Sequence, residues 1–372
     1  MLLRLLRRYL RPYAGALTAV VVLQLVGTIA ALYLPSLNAD IIDQGVAKGN
    51  THYILGMGAV MLGVTIVQIA CSITAVFFGA RTAMAFGRDV RDALFQRVGT
   101  FSDREIQKFG APSLITRNTN DVTQVQTLVV MTCTLMVVAP IMCVGGIIMA
   151  LRQDVGLSWL LVVAVPVLLI AVGLIVIRMV PQFRLMQKKI DAVNRVLREQ
   201  ITGVRVVRAF VREPFETDRF GVANDELTGT ALKVGKLMAL MFPTVMLVMN
   251  ASSVAVLWFG GQRIANGDME VGTLTAFLSY LIQILMSVMM ATFMMVMVPR
   301  AAVCAGRIGE VLDTETSVLP RVPPITPASN TGAVEFRDMT FAYPGADEPV
   351  LRRVNLTAAP GRTTAIIGST GS

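Results

Sequence analysis

Six stretches of this sequence, at about 14–37, 53–80, 128–151, 157–177, 237–261 and 271–298, contain no Asp, Glu, Lys or Arg. Each is long enough to cross a hydrocarbon core of about 30 Å, which takes about 20 helical residues. That pattern commits most of the chain to an all-α polytopic membrane domain with six transmembrane helices. The balance of residues agrees: 54% are hydrophobic and 15% charged, against roughly 45–50% and 25% in soluble domains. The net charge of +9 does not indicate a nucleic-acid partner, because the basic side chains are not gathered into a patch with interleaved aromatics. They are sorted by loop instead. Thirty of the 33 Lys and Arg precede the first span, lie between the second and third or the fourth and fifth, or follow the sixth. Only Lys48, Arg152 and Arg263 fall on the other side. The positive-inside rule then puts both termini and the two long loops in the cytoplasm.

Those loops, 81–127 and 178–236, are polar but still periodic, with Val90, Leu94, Val98 and Phe101 spaced as on one helix face. The spans are therefore expected to continue as helical arms, and about 20 residues would project roughly 30 Å from the bilayer. Ser102 and Glu105 match a capping box that starts a short helix, with Phe109 near its end and Gly110 and Pro112 to stop it. In the second loop, 211–216 suggests another short helix through Arg212, Glu213, Pro214 and Phe215, with Pro214 in its first turn. Short helices at the tips of paired arms suggest docking surfaces. Residues 1–13 read as an interfacial helix, with Arg4, Arg7, Arg8 and Arg11 facing lipid phosphates and Leu3, Leu6, Leu10 and Tyr13 on another face.

None of the spans carries a charge, whereas ion-coupled carriers usually hold their ion on intramembrane carboxylates or histidines. Energy is expected to enter from elsewhere. The polar residues deep in the spans are Gln24, Gln68, Asn250 and Gln283, joined by a stripe of Met286, Met289, Met290, Met294 and Met297 on the sixth. Methionine surfaces repack around varied apolar ligands, so Gln68, Asn250, Gln283, Met286, Met290 and Met294 form a candidate substrate path. Helix–helix packing is the other reading of that stripe. Pro140, Pro166 and Pro243 lie inside spans as packing accommodations or hinges. Cys71, Cys133, Cys143 and Cys304 show no CxxC spacing and His52 is isolated, so neither a disulfide nor a metal site is expected.

A helical continuation to Leu312 leads into a linker, 313–331, carrying Pro320, Pro323, Pro324 and Pro327, and a new domain over 332–372. Two strands are expected around 334–343 and 350–357, then a buried strand running into Gly368, Ser369, Thr370, Gly371 and Ser372. That ending reads as the start of a phosphate-binding loop, whose backbone N–H groups wrap phosphates and whose lysine would come later.

Six spans, two helical arms, a proline-bearing linker and a strand–turn–strand–glycine-loop order resemble an ATP-binding-cassette half-transporter of the exporter fold, the class of multidrug and lipid exporters. The sharpest piece is Phe341-Ala342-Tyr343-Pro344-Gly345 with Gly368 following 25 positions after Tyr343. The resemblance implies that Tyr343 stacks on adenine and Gly368 to Ser372 hold phosphates. The segment 109–121 likewise resembles that at a first coupling helix and 203–213 the approach to a second, which implies short helices that seat on nucleotide-binding domains, the second on a partner subunit. A homo- or heterodimer follows, with ATP and magnesium as cofactors, membrane lipid as surroundings and a small amphipathic substrate. The P-loop lysine and the later cassette motifs are missing from these 372 residues. The sequence therefore reads as the N-terminal portion of a longer protein, ending in a truncated α/β P-loop domain, and should neither bind nucleotide tightly nor hydrolyse it. Import rather than export, an ion-coupled carrier, and a non-catalytic membrane scaffold or dominant-negative partner stay open. The arginine-heavy composition leans bacterial.

Overall fold

The computed structural model describes residues 1–319, 332–343 and 346–368, apart from the side chains at 293, 295 and 296. The chain divides into Met1–Glu315 and Thr316–Ser372.

The first unit is helical. After α1 (Leu2–Leu10) and a 3₁₀ turn (Arg11–Tyr13), six long helical runs follow the hydropathy. They are α2 (Ala14–Asp40), continued by a π-turn to Val46; α3 (Thr51–Gly99); a run from Ala111 to Gln153; α8 (Trp159–Thr202); α10 (Glu213–Ala265); and α11 (Val271–Asp313). A short α4 (Asp103–Phe109) precedes the third run, and α9 (Val204–Ala209) lies between α8 and α10. The third run comprises α5 (Ala111–Thr116), α6 (Val122–Met131) and α7 (Val138–Gln153), separated by π-turns at Arg117–Asp121 and Thr132–Met136. Four of the runs extend well past their apolar segments, forming the expected arms; the end of the bundle away from them is the far side.

Prolines are absorbed without breaking the helices: Pro166, Pro243 and Pro299 lie inside α8, α10 and α11. Pro140 instead stands in the first turn of α7, just after a π-turn. The wider turn relaxes the clash of a proline ring with the carbonyl four residues back. Within that turn the Cys133 carbonyl accepts from Gln24 Nε2 on α2 at 3.4 Å.

Two apolar clusters hold the unit together, and α11 contributes to both. On the far side Leu157, Leu168, Val256, Phe277, Tyr280 and Ile284 join α2, α7, α8, α10 and α11. On the arm side Leu5, Phe86, Val90, Phe101, Phe109 and Ile308 join α1, α3, α4, α6 and α11. The Tyr280 hydroxyl, buried in the far-side cluster, donates to the Leu32 carbonyl at 2.8 Å.

The N-terminal helix is pinned to protein along one side. Leu5 is buried, Tyr9 meets Phe86 edge-on at 6.4 Å, Tyr13 donates to Asp89 at 2.6 Å, and Arg4 pairs with Asp313 at the end of α11. The bond from Tyr13 holds the Asp89 carboxyl below the usual range. Leu3, grouped in the sequence with Leu6, Leu10 and Tyr13, is instead 82% exposed beside the arginines. The protein-facing stripe runs through Leu2, Leu5, Leu6 and Tyr9.

The second unit is a two-stranded antiparallel ribbon, β1 (Val334–Phe341) and β2 (Leu351–Ala358). Asp338 and Arg353 adopt positive φ where the register shifts. The Asp338 N–H is taken by Asn355 Oδ1 at 2.9 Å. The third strand expected before the glycine loop is not formed: 362–368 has no regular structure, and Ile366 and Ile367 are 86% and 94% exposed. A P-loop strand is stabilised by parallel neighbours on both sides, and the described residues supply only a ribbon.

At the far side the N-terminus of α11 closes on α2. The Gly272 N–H donates to Asp43 Oδ1 at 2.6 Å, and a Cβ at Gly272 would press on the Ala39 carbonyl oxygen. Gly272→Ala should therefore destabilise the helical unit by about 1–3 kcal/mol, the usual cost of overpacking, measured by unfolding in mixed micelles.

Candidate functional site at the arm tips

At the first tip, Ser102 and Glu105 form the expected capping box. The Ser102 N–H and hydroxyl both donate to Glu105 Oε2, at 2.9 and 2.5 Å. Gly110, at φ 75°, ends α4 as expected, whereas Pro112 opens α5 instead of closing α4. Its missing N–H costs nothing in a first turn. The short helix is folded back by stacking of Phe101 on Phe109, with ring centroids 5.9 Å apart.

Phe109 is also covered by Arg117, whose guanidinium carbon lies 4.9 Å from the ring centroid. Arg117 Nη1 donates to Glu310 Oε2 and to the Arg307 carbonyl, both at 2.8 Å. One turn on, Asp121 is 1% exposed and 3.3 Å from Arg307 Nε, without an aligned hydrogen bond to its Oδ2. Burial, with the neighbouring Asp121 carboxylate, pushes the Cys304 thiol up. The first tip is thus fastened to the last turns of α11, the helix that leads out of the unit. Nothing in the local sequence signals the bonds from Arg117 to α11, because those partners are 190 and 193 positions away.

At the second tip the expected short helix is displaced. It forms at Val204–Ala209, not at 211–216; Arg212 is the N-cap of α10, and Glu213, Pro214 and Phe215 make its first turn. No breaker follows Phe215 until deep in α10, so the polar stretch stays helical. The stop falls earlier. The Arg212 N–H reaches the Val207 carbonyl at 3.0 Å and the Val211 N–H the Arg208 carbonyl at 3.2 Å, a Schellman closure. Its left-handed position is occupied by Val211, at φ 52°. Glycine is the usual residue there, so the β-branched side chain hid the turn from the sequence. Phe210 and Val211 are left 74% and 76% exposed, with Phe215 also outward.

Of the nucleotide-binding candidates, Tyr343 follows β1 with its ring 62% exposed and edge-on to Phe341 at 5.2 Å. An exposed ring at a strand end fits stacking with a planar base. Gly368 is described but irregular, and Ser369, Thr370, Gly371 and Ser372 lie outside the described residues.

The substrate-path candidates occupy three helices: Gln68 on α3, Asn250 exposed on α10, and Gln283 on α11 with a buried Oε1 that has no hydrogen-bond partner among the described residues. Met294 packs with Leu128 and Ala301 in a small cluster, while Met286 and Met290 are half-buried. The methionine stripe is therefore partly helix packing.

The sequence profile of the ABC transporter transmembrane region matches residues 17–288. The chain belongs to the ABC transporter family. An uncharacterized ABC transporter ATP-binding protein of Mycobacterium tuberculosis is 56% identical over all of this chain and 64% of its own length. An uncharacterized ABC transporter ATP-binding protein of Bacillus subtilis is 34% identical over 98% of this chain and 63% of its own length. A multidrug efflux ATP-binding/permease protein of M. tuberculosis is 29% identical over 94% of the chain and 29% of its own length. The chain spans less than two thirds of the length of these curated relatives.

Two substitutions test the tips by unfolding in mixed micelles. Arg117→Ala should cost about 1–2 kcal/mol through the lost cation–π contact and ion pair. Arg117→Lys should restore less than half of that loss, since an ammonium cannot stack and fork together. Val211→Gly should stabilise by about 1 kcal/mol, the penalty of a left-handed β-branched residue set against glycine's extra entropy.

Proposed function

We propose that this chain supplies the membrane half and the first strands of the nucleotide-binding domain of an ATP-driven transporter that exports an amphipathic or apolar compound. The observation that carries the reading is the second arm tip. Phe210 and Val211, in the turn between α9 and α10, and Phe215, in the first turn of α10, are presented outward where the helical arms end, and such a surface needs an apolar groove on another domain. The docking partner is a nucleotide-binding domain, and the tips carry its closure into the spans. The multidrug efflux relative supports export, and the uncharged spans support an apolar or amphipathic compound.

A second half-subunit completes the pathway. Helices α8 and α10 lie along one another and meet the remaining helices mainly through the far-side cluster. Down their arms Ile201, Val222 and Leu232 remain exposed, a face that a partner half covers. Tyr343 would hold the adenine and Gly368 to Ser372 the phosphates, with magnesium beside them; ATP supplies the energy when bound. The termini and arms are cytoplasmic on the strength of the Lys and Arg distribution, in a bacterial cytoplasmic membrane.

The test uses the complete gene product containing these residues, reconstituted in lipid vesicles. Vanadate-sensitive ATP hydrolysis coupled to movement of an amphipathic dye is expected. Phe210→Asp should reduce dye movement at least about tenfold, because burying an unpaired carboxylate in the docking groove costs several kcal/mol. Absence of vanadate-sensitive hydrolysis, or dye movement driven by an ion gradient without ATP, would overturn the reading.

A further inference from the structure

Helices α7 and α8 are consecutive and joined by the short turn 154–158, yet they barely touch. Each has another partner: α7 lies along α11 and α2, and α8 along α10. The turn is fixed by its own bonds. Asp154 Oδ1 accepts from the Leu157 N–H at 2.8 Å, and the Asp154 carbonyl accepts from the Ser158 hydroxyl at 2.7 Å. Asp154 Oδ2 pairs with Arg263 on α10 at 3.1 Å. From this fixed point the helices diverge, and the wedge between them is a groove of about 480 Å³.

The walls are apolar. Ile147, Leu151 and Val155 form one, a stripe at every fourth residue continued into the turn, and Trp159, Val162 and Pro166 form the other. The polar lining residue, Ser158, has its hydroxyl committed to Asp154. These residues belong to the last turns of α7, the connecting turn and the first turns of α8, where two membrane spans meet, so the open side of the groove faces hydrocarbon. Water would find too few polar partners there, and an empty slot forfeits dispersion contacts. An acyl chain satisfies both conditions.

A basic side chain stands one position along the chain from the lining. Arg152 is exposed on the last turn of α7, next to the lining residue Leu151. The nearby acid, Asp154, is already engaged by Arg263, and Arg152 has no ion-pair partner among the described residues. Trp159 packs edge-on against Phe259 at 5.4 Å, an aromatic pair of the kind found at the headgroup level. We propose that the wedge between α7 and α8 is a binding site for an anionic phospholipid of the leaflet opposite the arms, with an acyl chain in the groove and the phosphate on Arg152. This lipid is a resident of the outer surface of the bundle and not the transported compound. The inference rests on the membrane spans alone and stands or falls separately from ATP-driven transport.

These 372 residues carry two tryptophans, so Trp258→Phe, a change at an exposed position, leaves Trp159 as the sole tryptophan among them, and any tryptophan outside them is replaced by phenylalanine as well. This variant is placed in phosphatidylcholine vesicles containing a minor fraction of brominated phosphatidylglycerol or brominated phosphatidylcholine. Per mole, brominated phosphatidylglycerol should quench Trp159 about fivefold more effectively, the factor expected of one basic residue facing an anionic headgroup. Arg152→Gln should bring the two lipids level, and Val162→Phe, which fills the groove, should lower quenching by both. Equal quenching in the Trp258→Phe protein, or a preference that survives Arg152→Gln, would overturn the proposal. Protection of Trp159 from both lipids would also overturn it, by showing that protein, such as a second copy of the chain, covers the groove.

Discussion

Inside hydrocarbon a backbone N–H has no water to bond, and each one left unpaired costs several kcal/mol. Everything else in the helical unit depends on that constraint. It makes each of six uncharged segments close its bonds within itself, and it makes departures from the α-helix visible as places with a specific substitute partner. The π-turn at Thr132–Met136 is such a place: it accommodates Pro140, and Gln24 donates to a carbonyl within it. The same constraint leaves the spans little to attract one another in lipid, so side-chain packing and a few buried polar bonds, such as Tyr280 to the Leu32 carbonyl, set which helices are neighbours.

Helix α11 gathers these contacts. It enters both apolar clusters, is capped at the far side by Asp43, and at the arm side receives Arg4, Arg117 and Arg97 on its last turns. The first arm tip is thereby tied to the helix that leaves the unit. The second tip is different: it belongs to the α8–α10 pair, and its exposed Phe210 and Val211 are held out by a strained left-handed turn. Strain of that kind is tolerated where the surrounding structure over-determines the conformation, and it clusters at working surfaces. One tip is internally braced and the other is presented outward.

Much of this was legible in the residues. The six spans, the helical continuation of the arms, the Ser102–Glu105 capping box and the Gly110 stop each arise from interactions within a few positions, and the structure forms all of them. Pro112 starts α5 where the sequence alone suggests a stop to α4, because a proline's role depends on whether it falls in a first turn or an interior. Pro214 points to a short helix over 211–216, while the turn that separates the helices is made by a valine in a glycine's position. The strand expected at 365–367 needs neighbours to pair with, and local hydrophobicity cannot supply them. In the sixth span, spacing alone could not tell Met294, which packs into a cluster, from the half-buried Met286 and Met290.

The sequence by itself determined that this chain spans a membrane six times, that the spans run on into long helices, and that a strand-and-turn segment follows. Those outcomes are set by hydropathy, length and local hydrogen bonding, which act between residues close along the chain. Only the tertiary structure decided that Arg117 stacks on Phe109 and bonds α11, that α1 turns its Leu5 face to protein, and that α7 and α8 part to leave an apolar groove. Each of these depends on which helices become neighbours, and in lipid that choice is made by the shapes of whole helix faces, information spread over hundreds of positions.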